Sequence, residues 1–283
     1  MVLAYRSATL HGIWVVYRSR LRAWSAVATA LSAVGIVVLL FVATLALGAL
    51  VFGRIPDLLE SGPMGWVLVE PAAATIALMI AAALAGAAAA VTAEEARSLL
   101  VTSLRPLDIC VGNLTAGLTP VLVALAVDFM VWMLIVVFGQ RAWPPAHLRA
   151  ASVVSAHFVQ LCAIALVATV AMLSSQTSAS RKASLRGAVM GLLVIAACVG
   201  EVFVVNQPVS SAQAMWLLAP NPVAATASAV GQDILRAPWI YDHTVLVQYD
   251  YTYPAPGITA ALFALATLAA LAASAERLRR ACQ

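Results

Sequence analysis

Few residues of this 283-residue chain are charged, and those set inside long apolar runs are the first candidates for chemistry. Asp128 falls in the middle of the run from Leu114 to Phe138, where an ionised side chain costs about 2.5–3.5 kcal/mol to insert into a bilayer. Such a residue either lines a path or a seam between subunits, or is held neutral or paired as part of the structure. Glu70 and Glu201 stand near the ends of two other runs, from which a long side chain reaches water by snorkelling. His157 and Gln160 share a helical face with the small residues Ala156 and Ala163. That pattern suits hydrogen bonds between helices, worth about 1 kcal/mol each. No second histidine or carboxylate lies four residues from His157, so no metal site is expected.

The elements that must position these groups follow from composition. Hydrophobic residues make up 63% of the sequence, charged residues only 10%, and the mean hydropathy is +0.97. Soluble domains carry about 45–50% apolar and about 25% charged residues. An ordinary soluble enzyme is excluded, and so is a disordered chain, which needs low hydrophobicity and many charges. The fold class expected is an all-α integral membrane protein forming a single transmembrane unit over residues 1–283. Six apolar runs, three of them interrupted by a single acid, have about the length a helix needs to cross roughly 30 Å of hydrocarbon. They are Trp24–Phe52, Trp66–Val91, Leu114–Phe138, Ala150–Leu173, Gly187–Val205 and Gly257–Ala275.

An even number of spans puts both termini on one side. Twelve of the sixteen basic residues fall on that side, spread over four segments: Arg6 to Arg22, Arg97 and Arg105, Arg181 to Arg186, and Arg277 to Arg280. Cytoplasmic segments carry the excess of arginine and lysine, so both termini are expected in the cytoplasm. The same excess explains a pI near 9.1 without a nucleic-acid partner. The four cysteines, Cys110, Cys162, Cys198 and Cys282, match no zinc or CxxC spacing and read as reduced thiols.

Residues 1–22 are interrupted by arginines and lack a convincing cleavage site, unlike a signal peptide. Leu10, Ile13, Trp14, Tyr17 and Leu21 recur at helical spacing, with Arg6, Arg18 and Arg22 largely off that stripe. An amphipathic entry helix in the membrane interface is expected, its arginines toward anionic lipid headgroups. Residues 206–256 form the longest stretch between spans, on the external side. Its small-residue run from Val223 to Val230 suits a short re-entrant or surface helix packed on the bundle. Tyr249, Tyr251 and Tyr253 alternate with Asp250 and Thr252, so an extended backbone puts three rings on one face. They either contact a glycan or lipid headgroup or form part of an interfacial aromatic belt.

The most informative stretch runs from residue 92 to 113, after the second span. Thr92 is an N-cap candidate, and Glu94 and Glu95 sit in the first turn, where the helix dipole favours negative charge. Leu99, Leu100 and Leu104 give the helix an apolar side. Arg105-Pro106 ends it, because the residue before a proline is pushed out of helical geometry. Leu107 to Val111 then lead back toward the third span. At these residues the chain resembles the permease subunits of ABC transporters of the type-2 exporter class. That family places an acidic residue after the second span, then a leucine pair, a Thr/Ser step, a proline turn, an isoleucine and a Gly-Lys. The matching residues are Glu94 or Glu95, Leu99-Leu100, Thr102-Ser103, Arg105-Pro106-Leu107, Ile109 and Gly112. Leu218-Ala219-Pro220-Asn221-Pro222 is similar to the family's Asn-Pro element before its final span. Two positions depart: the Gly-Thr ahead of the leucine pair is Arg97-Ser98, and the Gly-Lys is Gly112-Asn113.

The resemblance implies a permease subunit of an ATP-driven exporter in a bacterial cytoplasmic membrane. It implies a coupling helix whose contact with a separate ATPase involves Glu94, Glu95, Arg97, Leu99, Leu100, Arg105, Pro106, Leu107 and Asp108. Asp128, His157, Gln160 and Glu201 become candidates for the translocation path or the seam between two permeases, identical or related. Asn221, Pro222 and the three tyrosines become the external segment. ATP and magnesium belong to the ATPase, since this chain cannot bind ATP through a P-loop. Its one lysine, Lys182, stands in Ser180-Arg181-Lys182-Ala183 without the required glycines. Two other functions compete. An intramembrane protease of the Glu-Glu type has an arginine four positions after the second glutamate, and here that residue is Leu99. A secondary transporter ordinarily shows more midplane charges or broken helices, and only Asp128 qualifies. The substrate is not legible.

Overall fold

The computed structural model describes residues 2–23, 26–52, 62–100, 104–142, 149–176, 181–204, 209–236, 241, 244 and 251–282. Among them the chain is helical: α1 (Val2–Ala23), α2 (Ala26–Phe52), α3 (Gly62–Ala88), α4 (Ala93–Leu100), α5 (Pro106–Ala142), α6 (Ala150–Ser175), α7 (Arg181–Val204), α8 (Ser211–Leu218), α9 (Pro222–Ala229) and α10 (Pro256–Cys282), with a 3-10 turn at Ile234–Arg236. Of the described helices, α2, α3, α5, α6, α7 and α10 are long and apolar enough to cross a membrane. The chain is a multi-span, helical membrane protein, and all six expected spans coincide with these helices.

Helix α6 is the axis of the bundle, packing against α3, α10, α7, α9 and α5. In the apolar stretches of α3 and α6, 72% and 61% of residues are buried, against 11% in α2, which lies on the periphery. The sequence of α3 explains its place. Ala72, Ala73, Ala74, Ala77, Ala82 and Ala83 are all buried, and small residues let helix backbones approach closely where lipid supplies no hydrophobic drive. The closest approach is at Gly86, where an added β-carbon would run into the backbone of Ala168 on α6.

The proline at 106 has a second role besides the expected one. Leu104 and Arg105 before it are not helical, and Pro106 opens α5, where its missing N–H costs nothing and its fixed φ suits the first helical position. Helix α5 therefore begins eight residues before the expected Leu114 and runs for 37 residues. The backbone N–H of Arg105 donates to Asp108 Oδ2 at 3.3 Å, so Asp108 caps this start. Thr102 and Ser103 lie outside the described residues.

Helix α1 packs against α5 through residues that lie off its apolar stripe. Among its described side chains Gly12 and Val16 are the buried ones, and a β-carbon on Gly112 of α5 would come 2.7 Å from Val16. Leu10 and Trp14 stay exposed. The apolar stripe is thus divided between half-buried Ile13 and Tyr17 and an outward Leu10 and Trp14.

Candidate functional site

Two groups of polar residues stand out, at different depths of the bundle. The deeper one joins α3, α5 and α6. Glu70 comes early in α3, His157 early in α6, and Asp128 in the later part of the antiparallel α5, so all three lie at one level. Asp128 Oδ2 is 3.3 Å from His157 Nε2, with the side chains only 9% and 10% exposed. His157 Nδ1 is 2.8 Å from the carbonyl of Val153, one turn earlier in α6. A carbonyl only accepts, so Nδ1 carries the hydrogen, and Nε2 is the ring atom that faces Asp128. Phe129 packs edge-on against the imidazole, with ring centroids 5.1 Å apart.

Glu70 completes the group. The Trp132 indole donates to Glu70 Oε2 at 2.7 Å, and the Glu70 carboxyl meets that of Asp128. Glu70 is buried, contrary to the expectation that it snorkels to water. Its place in α3 faces α5, and the indole satisfies one of its oxygens. One turn further, Gln160 Nε2 donates to Thr75 Oγ1 at 3.2 Å, so Gln160 does bond across helices, to α3. Glu70, Asp128 and Trp132 form the polar wall of a cavity of about 180 Å³ between α2 and α5. Among the described residues no group of three His, Cys, Asp or Glu has the geometry to hold a metal ion.

The second group lies at the opposite end of the bundle, around α4. Thr92 Oγ1 accepts from the Glu95 backbone N–H at 3.1 Å, and Glu95 Oε2 accepts from the Thr92 N–H at 3.2 Å. This reciprocal capping box starts α4 as the sequence suggests. Glu94, Glu95, Arg97 and Ser98 face outward, while Ala96 is buried and Leu99 and Leu100 pack on the core. Helix α4 is tied to its neighbours. Arg20 of α1 bridges Glu95 at 3.2 Å and Asn113 of α5 at 2.6 Å. Arg97 donates to the carbonyl of Ala281 near the end of α10 at 3.4 Å. Leu107 is exposed, Arg105 is exposed and Pro106 partly so, whereas Asp108 is buried beneath Gly12 of α1. Just inside this end, Gln176 donates to Ser274 Oγ and, at 3.6 Å, to Cys110 Sγ, joining α6, α10 and α5 in a buried knot.

The other expected residues have local roles. Asn221 caps α9, its Oδ1 accepting from the Ala224 N–H at 2.9 Å, and Pro222 takes the first helical position. The small-residue run forms the nearly buried α9 on α6, α3 and α10. Glu201 turns its carboxyl inward beside Asn221 instead of outward to water. Tyr249 lies outside the described residues. Tyr251 and Tyr253 both donate to Asp233 Oδ1, the second at 2.6 Å, and Arg236 stacks 5.5 Å above the Tyr251 ring. Burial first, and the Asp233 hydrogen bond second, hold both phenols above the ordinary tyrosine range.

Sequence reasoning missed Trp132, Arg20 and Asp233. Trp132 was findable: it follows Asp128 by four residues, on one face of α5, and a buried indole needs an acceptor. Arg20 and Asp233 carried no local signal for partners 75 and 18 residues away. Compared with protein-family models, curated proteins and solved structures, the chain finds no match in any of the three.

Proposed function

We propose that this chain is the membrane-spanning permease subunit of an ATP-driven exporter of the type-2 ABC class, working as a pair of permeases with separate ATPases. The reading places it in a bacterial cytoplasmic membrane with both termini and α4 on the cytoplasmic side. The observation that carries the proposal is the mounting of α4. Its polar residues point away from the bundle, yet Arg20–Glu95 and Arg97–Ala281 fasten it to α1 and α10. A partner that moved α4 would therefore move α1 and the ends of two spans, α10 and α5, since Arg20 also holds α5 through Asn113. Coupling needs contacts that differ between two states and is typically worth about 1–3 kcal/mol. A surface helix bonded to the spans it must drive is suited to that work. Arg186, Arg277, Arg279 and Arg280 belong to the same end, in keeping with the orientation.

The test is purification of the tagged chain from its native membrane in mild detergent, with mass spectrometry of the companions. An ATP-binding subunit in near-equal amount, lost when Glu94, Glu95 and Arg97 are all changed to alanine, is the expected result. Repeated recovery without any ATPase would sink the proposal.

One observation favours a second reading, ion-coupled transport. Asp128 is accompanied by Glu70 and His157, so the intramembrane titratable groups number three in one cluster.

A further inference from the structure

The cavity between α2 and α5 has a composition that selects its ligand. Its polar wall is Glu70, Asp128 and the Trp132 indole; the rest is apolar, including Val37, Phe41 and Val131. Among the described residues that line it there is no arginine or lysine, and the polar side chain that α2 brings is the neutral Thr44. Phe41 and Val131 are about half exposed, so the mouth opens on the apolar outer surface where lipid would lie.

The protons on this wall can be counted. His157 Nδ1 is committed to Val153, so one proton must lie between its Nε2 and Asp128 Oδ2, or two unshielded lone pairs would face each other at 3.3 Å. A second must lie between the carboxyls of Glu70 and Asp128, since like charges in contact do not both ionise in a dry site. With both protons present, Glu70, Asp128 and His157 together are neutral. With one gone, the group is a monoanion facing an apolar cavity, and only a cation arriving there compensates it. Asp128 Oδ2 and His157 Nε2 are both buried and make no well-aligned hydrogen bond, so the wall is incompletely satisfied as it stands.

We infer that this cavity binds a small lipophilic organic cation, a single ring bearing an ammonium group, in exchange for one proton from the Glu70–Asp128–His157 group. The proton leaves to bulk water, the cation replaces its charge, and no covalent bond changes. Size sets the single ring, because cavities of about 150 Å³ hold a benzene ring and this one measures about 180 Å³. Phe41 and Trp132 add aromatic faces, which attract desolvated cations. That such a ligand is cargo rests on the permease reading; that it binds does not.

The experiment uses the full chain in lipid nanodiscs, titrated calorimetrically with benzyltrimethylammonium, whose charge is independent of pH, and with neutral benzyl alcohol. Empty nanodiscs supply the correction for partitioning into lipid. The cation is expected to bind at least tenfold tighter than the alcohol. Its affinity should rise by up to about tenfold per pH unit while the group holds its proton, with one proton released per cation, measured by repeating the titration in two buffers of different ionisation heat. Asp128→Asn should weaken the cation at least tenfold and leave the alcohol unchanged, while Val131→Phe should fill the cavity and weaken both. Equal affinity for cation and alcohol, binding without proton release, or indifference to Val131→Phe would each overturn the inference. If Asp128→Asn does not fold, proton release by the unaltered chain decides alone. Cation binding without a co-purifying ATPase would keep this site and remove the exporter reading; an ATPase without cation binding would do the reverse.

Discussion

Two polar side-chain contacts of nearly equal length sit in the two polar regions of this bundle. Arg20 and Glu95 meet at 3.2 Å with side chains 37% and 46% exposed, and Asp128 and His157 meet at 3.3 Å with about a tenth of either exposed. Near the surface, water and salt screen the first pair, and ordering two long side chains consumes most of the gain. Inside, both partners of the second have given up hydration, so neither can lose the other cheaply. Distance is the same in both places; what differs is the alternative available to each group when the contact is broken. The exposed contact sets geometry, holding α4 against α1. The buried contact sets partners, bringing α5 and α6 together beside Glu70 of α3.

The largest expected effect comes from removing one side of the inner contact. His157→Ala removes the polar neighbour of Asp128 Oδ2 and leaves a cavity beside Phe129, and should cost about 2–5 kcal/mol, read from reversible unfolding in mixed micelles. A loss below about 1 kcal/mol would mean that Asp128 reaches water and that the two regions do not differ as described. Trp132→Phe is the next test, since it keeps the ring and deletes the donor to Glu70 Oε2. An unsatisfied buried acceptor costs about 1–3 kcal/mol, and restoring stability with Glu70→Met in the same chain, which removes the acceptor, would be the mark of that cause. Thr92→Ala removes the cap of α4 and should cost about 1 kcal/mol. Most of that loss should appear as faster amide exchange over Glu94–Leu100, with the spans unaffected. The smallest effect belongs to the outer pair. A double-mutant cycle on Arg20→Ala and Glu95→Ala should give a coupling of about 0.2–1 kcal/mol that shrinks in high salt, whereas a salt-insensitive value would show the pair to be buried in the assembled protein.

The number and placement of the spans were legible because each is a long apolar run with at most one acid, and length alone separates such runs from ordinary core helices. The start of α4 was legible because a capping box is local, written within Thr92 to Glu95. Pro106 was read only as the end of one helix, and it is also the beginning of the next. A proline forbids helix on its N-terminal side and favours it on its C-terminal side, and the apolar run that announces α5 does not begin until later. Glu70 was assigned to water because its position near a span end permits snorkelling. Only the approach of α5, set by the small residues of α3, gives its carboxyl an indole and a second acid to face. Tyr251 and Tyr253 show the same limit: alternation placed them on one face, but their shared acceptor, Asp233, lies on another segment. In a membrane bundle the pattern of a run gives depth and length, while partners come from which faces meet.

The knot of Cys110, Gln176 and Ser274 has a practical consequence. Cys110 is fully enclosed where α5, α6 and α10 converge, whereas Cys198 and Cys282 are partly open. A maleimide can reach Cys110 only when those helices separate, so its labelling rate counts such separations in a chain that needs no engineered probe. The protein carries a built-in stopwatch, set at the place through which any pull on its arginine-rich end would have to pass.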